Sequence, residues 1–466
     1  MPSAKFDSSL SGPFLKTATM PLAIRPNGKK LVQQAQFEDC ESLGPVPGKS
    51  IHKVAILGFG TVGSAVARIF AERALNSVHL THIYNRDVAR KKVDWLPSDV
   101  QWTDDFNAVL SSEVDIIVEL MGGLSPAGDW IRWALRAGKS VVTANKQLIA
   151  HYGPELMALA RQSKCEILFG ASVAGGIPVI SGLQEGLAGD ELLKIHGVLN
   201  GTCNYILSQI ESRGISFAGA LSEAQRMGFA EADPREDVDG LDARAKLAIL
   251  ARVALHANVC PEDVACRSIS PIEPVDFEYA KEMGCSIRQV ACAELEGKRL
   301  LAAVRPALVA LSSPLARTQG SENLIVATGK YGQQTVFGGQ GAGGNATAVA
   351  VVSDILAISG RDGVGFNRRF SEPESSPKIS AEFITRHYLR FTVKDRPGII
   401  AALASVFSKS GINIDSVLQK PGCEKSRLPF VITLEACRSS EVEKALQRIS
   451  RLDFQVQPCL HLPILN

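Results

Sequence analysis

The chain has 466 residues, of which 45% are hydrophobic and 21% are charged, and its formal net charge is +2. These values are ordinary for a globular enzyme of about two to four domains, and the lack of a basic tract argues against a nucleic-acid-binding protein. The ten cysteines show no CxxC motif and no regular spacing. That pattern predicts reduced thiols in the cytoplasm and favours neither a metal cluster nor a disulfide framework.

The first 50 residues hold six prolines among polar residues and show no sustained period. We expect residues 1–50 to form a disordered extension. A charged start followed by an apolar run is missing, so a secretory signal is not indicated, while an organellar transit peptide stays open. The longest uncharged stretch, residues 331–353, is rich in Gly and polar residues, so no membrane span is predicted.

A nucleotide-binding pattern begins at residues 53–57 (KVAIL), an apolar run followed directly by GFGTVG and then by helical periodicity. A strand, a Gly-rich turn and a helix in this order predict a dinucleotide site. Gly58 would make the tight turn, Gly60 would let a pyrophosphate approach, and Gly63 would let the helix pack closely on the strand. The pyrophosphate would lie at the helix N-terminus. The cofactor-binding candidates here are Gly58, Gly60, Thr61, Val62 and Gly63.

The next predicted strand, residues 80–84, ends about twenty residues after this motif, where an NAD-type site places an acidic residue on the ribose. This chain has Asn85 and Arg86 there, followed by three cations at residues 90–92. The missing acid and the nearby cations predict NADP in preference to NAD, with Arg86 at the 2′-phosphate.

Further strands at residues 114–120, 140–143 and 167–169 alternate with helices, which predicts a doubly wound parallel sheet in a domain of residues 51–180. Ligands bind at the carboxyl ends of such strands. Gly122 and Lys146 follow two of these strands and are therefore candidates for cofactor or substrate contacts.

Residues 231–246 read EADPREDVDGLDARAK, a run of carboxylates followed by Gly240 and an apolar-periodic helix. Asp242 and Lys246 are four residues apart, so both project from one helix face. The carboxylates could bind a substrate ammonium, and the Lys beside them could move a proton to or from a hydroxyl. An ordinary surface ion pair at a helix start is the alternative. We assign residues 181–335 to an α+β catalytic and dimerisation domain.

The GGQGAGG segment precedes an apolar helix, and residues 336–370 are predicted to return to the nucleotide domain. A polar, Pro-rich linker at residues 371–385 follows. Residues 386–460 then show the order strand, helix, strand, strand, helix, strand, which predicts a ferredoxin-like module.

The stretches GFGTVG, VELMGG, TANK, SVAGGIP, NGTCNYIL, EADPREDVDGLDARAK and GAGG together resemble monofunctional homoserine dehydrogenase, from about residue 51 to the C-terminus. The last module resembles an ACT domain, with DRPG and GINI in the usual places. The resemblance implies a Rossmann-type nucleotide domain, a catalytic domain and an ACT domain. It also implies a cytoplasmic homodimer or homotetramer that interconverts L-homoserine and L-aspartate 4-semialdehyde with NADP or NAD, without nucleic-acid or membrane partners.

The resemblance also implies roles for particular residues. Lys246 would be the general acid/base, with Asp242 beside it, and Lys146 would lie between nicotinamide and substrate. The substrate contacts would be Glu231, Asp237 and Asp242, and the further cofactor contacts would be Gly228 and Gly341.

A structural Na⁺ would be bound by the carbonyls of Val173, Gly175 and Ile177 and by a Glu that the family usually has at position 170. Here that residue is Gly170. The charged ligand is therefore missing, which argues against the sodium site.

The C-terminal module carries no candidate catalytic residues. Its turn at residues 411–413 could bind an amino acid through backbone groups and the Asn413 amide. The resemblance implies edge-to-edge pairing of two modules and threonine as the effector; a role in dimerisation alone stays open.

Two rival functions also stay open. The first is a phosphorylating semialdehyde dehydrogenase that uses Cys203 as its nucleophile, for which the nearest His in sequence is His196. The second is a non-catalytic amino-acid sensor in which only the ACT-like module works.

Overall fold

The computed structural model describes residues 51–360 and 377–465. The disorder expected for residues 1–50 lies outside the described residues, as do residues 361–376, where the return segment meets the predicted linker. Within the described ranges, no helix is long and apolar enough to cross a membrane.

The first sheet begins at residue 52 and, in the described part of the chain, has six strands. They are β1 His52–Leu57, β2 Val78–Tyr84, β3 Gln101–Thr103, β4 Ile116–Glu119, β5 Ser140–Thr143 and β6 Ile167–Leu168. The strands are parallel, in the order β3-β2-β1-β4-β5-β6. The helices between them are α1 Thr61–Glu72, α2 Val88–Lys91, α3 Phe106–Leu110, α4 Ala127–Arg136 and α5 Lys146–Gln162. This order confirms the predicted doubly wound nucleotide-binding fold.

A second, mainly antiparallel sheet follows. Its strands are β7 Leu192–Val198, β8 Ala265–Cys266, β9 Cys285–Glu296, β10 Arg299–Ala310, β11 Glu322–Gly329 and β12 Gln333–Gln340. The helices are α6 Val179–Ser181, α7 Gly201–Arg213, α8 Phe217–Arg226, α9 Arg235–Val238, α10 Leu241–Leu255 and α11 Pro274–Glu282. The apolar residues of α10 lie in one core with Ile195, Ala291 and Ala293 of the sheet and with α5. Helix α10 therefore joins the second sheet to the nucleotide domain.

Helix α12, Gly344–Ser359, returns to the first sheet. Its residues Ala348, Val351 and Ile355 are buried in one cluster with Val54 and Val66. The chain therefore crosses between the two sheets more than once.

The C-terminal module has the strands β13 Lys378–Ser380, β14 Ile384–Val393, β15 Ile414–Leu418, β16 Leu428–Arg438 and β17 Gln455–Leu465. Its helices are α13 Ile399–Lys409 and α14 Ser439–Ile449. Its strands β17-β14-β16-β15 form an antiparallel sheet with both helices inserted in the predicted order, which confirms the ferredoxin-like fold.

The sequence predicted a separate module after a linker, whereas the structure joins the module to the second sheet. Ile464 and Leu465 of β17 pair with Leu308 and Val309 of β10. Strand β13 pairs with the start of the same strand, so residues 378–380 of the predicted linker are a strand. The physical reason is that β9 covers one edge of the long strand β10, while the other edge is open to β13, β8 and β17 in turn.

Candidate active site

A cleft of about 310 Å³ lies at the carboxyl ends of the first-sheet strands. Its lining includes Gly58, Gly60, Arg86 and Gly122, four of the predicted cofactor residues. The Arg86 side chain is exposed at this cleft. The cleft therefore has the position and the donor groups that a dinucleotide requires.

The geometric reason for glycine differs between the positions of GFGTVG. Gly58 has a φ of +103°, and a Cβ there would lie 2.8 Å from the Leu120 carbonyl oxygen. A Cβ on Gly63 would lie 2.0 Å from the Gly58 carbonyl oxygen. At Gly60, by contrast, a Cβ would meet no atom within 4 Å. Open space therefore lies at the N-terminus of α1, where the N–H groups of Thr61 and Val62 can donate hydrogen bonds to a pyrophosphate.

Glu119, which the sequence analysis did not single out, organises the loops beside the cleft. Its buried carboxylate accepts hydrogen bonds from the backbone N–H groups of Met121 and Gly122, at 2.8 and 3.0 Å, and from Thr143 Oγ1, at 2.6 Å. It thus ties the loop after β4 to the end of β5. A carboxylate at the end of an apolar strand is the sequence signal that could have found it.

Two lysines from different domains meet on one carboxylate. Lys146 Nζ lies 2.7 Å from Asp242 Oδ1, and Lys246 Nζ lies 2.8 Å from Asp242 Oδ2. Lys146 begins α5 directly after its N-cap Asn145, and Asp242 lies in the first turn of α10, which Gly240 starts with a φ of +82°. Nucleotide and catalytic elements therefore face each other at this cluster.

The charges of the cluster depend on one another. Burial alone would raise the pKa of Asp242, but the ammonium groups of Lys246 and Lys146 outweigh it and hold the pKa well below its ordinary value. Burial works to lower the pKa of Lys146, and the Asp242 carboxylate more than offsets this, so that pKa is raised. Asp242 is therefore ionised at neutral pH, and Lys146 stays protonated.

Asn200, the N-cap of α7, holds the acidic part of the cluster together and was also missed. Its Nδ2 donates to Asp237 Oδ1 at 2.6 Å and to Asp242 Oδ2 at 2.9 Å. Burial raises the pKa of Asp237 above its ordinary value. The sequence signal was present, because an Asn before an apolar helix is a common N-cap.

The remaining predicted residues lie around this cluster. Gly341 packs against Asn323, which donates to the same Leu199 carbonyl oxygen as Lys246, at 2.7 and 2.8 Å. Gly228 and Glu231 lie on an exposed loop, and the Glu231 carbonyl oxygen accepts from Gln225 Nε2 at 3.0 Å. Among the described residues, the Glu231 carboxylate forms no ion pair with Lys146 or Lys246. The structure thus gathers Lys146, Asp237, Asp242 and Lys246, but not Glu231.

The sodium ligand set that the resemblance implies is incomplete here. A Cβ on Gly170 would lie 3.0 Å from both carboxylate oxygens of Asp354, and the Gly170 N–H donates to Asp354 Oδ2 at 2.7 Å. The Ile177 carbonyl oxygen already accepts from the Val179 N–H at 2.7 Å. The carbonyls of Val173, Gly175 and Ile177 are present without the usual charged ligand, and we derive no step through Na⁺.

Family models match three consecutive parts of the chain. Residues 58–170 match "Homoserine dehydrogenase, NAD binding domain", residues 178–356 match "Homoserine dehydrogenase", and residues 387–454 match "ACT domain". These matches cover the first sheet after β1, the second sheet with most of α12, and the C-terminal module from within β14 to the end of α14.

Curated relatives and solved structures agree with the family models. Homoserine dehydrogenase of Bacillus subtilis is 37% identical over 412 residues, which cover 86% of this chain and 95% of the relative. That of Mycobacterium tuberculosis is 41% identical over 380 residues, covering 79% and 86%.

Among solved structures, a homoserine dehydrogenase from Thiobacillus denitrificans has a TM-score of 0.83 at 30% identity, covering 90% of this chain and 100% of that one. A hyperthermophilic archaeal homoserine dehydrogenase in complex with NADPH has a TM-score of 0.57 at 28% identity, covering 66% and 97%. The cleft, the two-lysine cluster and these relatives lead to one conclusion. The chain belongs to the homoserine dehydrogenase family, whose members are NAD(P)-dependent oxidoreductases, and it carries a C-terminal ACT domain.

Proposed function

We propose that the chain interconverts L-homoserine and L-aspartate 4-semialdehyde in the biosynthesis of threonine, methionine and isoleucine, with Lys246 as general acid/base. The observation that carries this proposal is the pair of lysines held on Asp242 where the nucleotide and catalytic elements meet. A nicotinamide cofactor held in the cleft would supply or accept the hydride. Lys246 gives a proton to the aldehyde oxygen during reduction and takes the hydroxyl proton during oxidation.

We assign Lys146 and Lys246 different roles. Lys146 keeps its proton because its pKa is raised, so it serves as a fixed positive charge and hydrogen-bond donor beside the reacting carbon. Lys246 has a side chain that is 13% exposed, and the Leu199 carbonyl oxygen holds its Nζ at 2.8 Å in addition to Asp242. Two fixed partners leave its remaining N–H directed by the site and available to the substrate oxygen.

We assign Asp242 and Asn200 to positioning. Both carboxylate oxygens of Asp242 are occupied by ammonium groups, and Asn200 fixes one of them. Asp237 accepts a hydrogen bond from the same Asn200 amide. Its carboxylate is therefore a better placed partner for a substrate ammonium than that of Glu231. The substrate contact assigned to Glu231 stays a prediction and requires the exposed loop to close over the substrate.

The geometry argues against Cys203 as a nucleophile. Its thiol is fully buried, its Sγ donates to the Asp237 carbonyl oxygen at 3.1 Å, and burial raises its pKa. A nucleophilic Cys needs a thiolate and a base beside it. His196 lies on β7 in register with Cys292. We therefore assign Cys203 a packing role.

We propose NADP as the preferred cofactor, because Asn85 and the exposed Arg86 line the cleft where an acid would bind the NAD ribose. The archaeal relative solved with NADPH supports this choice. We expect wild-type kcat/KM to favour NADP over NAD, and Arg86→Ala to lower that preference by about tenfold through loss of one charge-assisted hydrogen bond.

The measurement is kcat/KM for both cofactors in wild type and Arg86→Ala. Arg73→Ala is the matched control, since Arg73 is exposed at the opposite end of α1. An NAD preference in the wild type, or an unchanged ratio in Arg86→Ala, contradicts the proposal.

We propose that the ACT domain regulates the enzyme by binding threonine at residues 411–413. In the described sheet β15 has one neighbour, β16, so its other edge is available to the module of a second copy in a homodimer or homotetramer. Asn413 directly precedes β15, and its side-chain amide donates to Glu435 Oε2 of β16 at 3.0 Å. Because β17 is hydrogen-bonded to β10, a shift of the module reaches the catalytic sheet directly.

We expect millimolar threonine to inhibit the full-length enzyme and Asn413→Ala to raise the inhibitory concentration by about tenfold, since one ligand hydrogen bond is lost. Initial rates at several threonine concentrations measure this, with Arg451→Ala, an exposed change elsewhere in the module, as control. Truncating the module is a poor test because it uncovers β10. Equal inhibition of wild type and Asn413→Ala would place the effector elsewhere.

A further inference from the structure

A second cluster of chemically capable side chains lies on the other face of the second sheet. On β7 and β9, His196 is the register partner of Cys292, and Lys194 is the partner of Glu294. Side chains alternate along a strand, so these residues point away from Ile195, Ala291 and Ala293, which pack with α10. A ring nitrogen of His196, the Cys292 Sγ and a Glu294 carboxylate oxygen lie within 4.8 Å of one another.

We propose that His196, Cys292 and Glu294 form a binding site for a zinc-class divalent cation that links β7 to β9. The three donors are nitrogen, sulfur and oxygen, a set that selects Zn²⁺ or Co²⁺ over Mg²⁺ or Ca²⁺, which prefer oxygen ligands. The site is separate from the Lys146–Asp242–Lys246 cluster and from the backbone carbonyls around Gly175.

His196 provides the independent observation that points to a ligand. Its Nε2 is buried and has no hydrogen-bond partner in the described structure. A buried polar atom without a partner is costly, and a metal ion would satisfy it. Burial also lowers the pKa of His196 to about 3, so the imidazole is neutral and has a lone pair to give.

Cys292 and Glu294 supply the negative charge. Burial raises the pKa of Cys292 to about 12, so the thiol is protonated until a metal binds. Coordination then forms a metal–sulfur bond and releases the thiol proton to solvent, without any change of oxidation state. One thiolate and one carboxylate neutralise the charge of a divalent cation, which matters on a sheet face where Cys292 is packed against Leu301, Ala303 and Phe383.

The exposed side of Glu294 gives a metal ion access to the site, and Lys194 competes for the same carboxylate. The Glu294 side chain is 37% exposed and forms a 3.0 Å ion pair with Lys194. Donor atoms on one tetrahedral zinc lie about 3.5 Å apart, so a rotation of Glu294 away from Lys194 completes the site and leaves a fourth position for water. The Lys194 ammonium thus competes with the metal for the Glu294 carboxylate.

The test uses the full-length protein after treatment with EDTA and removal of the chelator. Titration with Co²⁺ should give the near-ultraviolet thiolate-to-cobalt band and the visible bands of a tetrahedral site, and Zn²⁺ should displace them. Cys292→Ala should abolish the thiolate band. Glu294→Gln should weaken Co²⁺ binding by at least about tenfold, and Lys194→Gln should strengthen it.

Two controls lie on the same strand. Glu296→Gln changes an exposed carboxylate that is paired with Arg299, and Cys285→Ala removes a different thiol. Both should bind Co²⁺ as wild type does. Zn²⁺ should also raise the Tm of wild type but not of Cys292→Ala. No thiolate band in wild type, a band that persists in Cys292→Ala, or equal weakening by Glu296→Gln and Glu294→Gln would overturn the proposal.

Discussion

Replacing Lys246 with Ala should lower kcat by a factor of about 10² to 10⁴, the usual cost of losing one general acid/base. The dissociation constant of the nicotinamide cofactor should stay close to that of wild type, because Lys246 lies on α10 and not in the cleft at the first sheet. Lys246→Arg should be nearly as inactive. Arg keeps the positive charge beside Asp242 but does not release a proton at accessible pH.

Steady-state rates and fluorescence titration with the reduced cofactor measure the two expectations. Lys330→Ala is the matched control, since this Lys also forms an ion pair, with Glu191, but lies on the surface. If Lys246→Ala keeps more than about a tenth of the wild-type kcat, the role assigned to Lys246 is wrong. Full activity in Lys246→Arg would show that charge alone is needed.

Replacing Asp276 with Ala should lower the free energy of unfolding by about 3 to 5 kcal/mol, the range for removing one partner of a buried ion pair. Asp276 of α11 is fully buried and accepts from Arg390 Nε and from Tyr388 Oη, each at 2.7 Å. Arg390 is only 2% exposed. Its guanidinium would lose its buried counter-ion between the ACT domain and the catalytic sheet.

Urea titration at fixed protein concentration measures this change. Tyr388→Phe removes only one neutral donor and should cost about 1 kcal/mol. The double variant Asp276→Ala/Arg390→Met should recover the part of the loss that comes from the unpaired guanidinium, but not the hydrogen bond that Asp276 Oδ2 accepts from the Glu273 N–H at the start of α11. If Asp276→Ala unfolds like the wild type, or if the double variant is worse than the single one, this contact does not hold the module in place.

Local patterns in the sequence determined the helices and strands and one contact of the active site, that between Asp242 and Lys246. The GFGTVG turn after an apolar run predicted β1, the turn and α1, because tight turns need glycine wherever a Cβ would strike backbone. The four-residue spacing of Asp242 and Lys246 predicted their contact, since helical periodicity places such residues on one face. The strand and helix order of residues 386–460 predicted the ferredoxin-like module for the same reason: period and turn chemistry are short-range properties.

Only the tertiary structure brought distant residues together. Lys146 and Asp242 are 96 positions apart, and they form an ion pair only because α10 packs against α5. The union of β17 with β10, and the meeting of His196 with Cys292, depend on strand pairing and register. Periodicity shows which face of a strand is apolar, but many partners and registers bury that face equally well. Which of them forms is decided by the packing of the whole chain, where the open edge of β10 accepts β17 and the second sheet aligns β7 with β9.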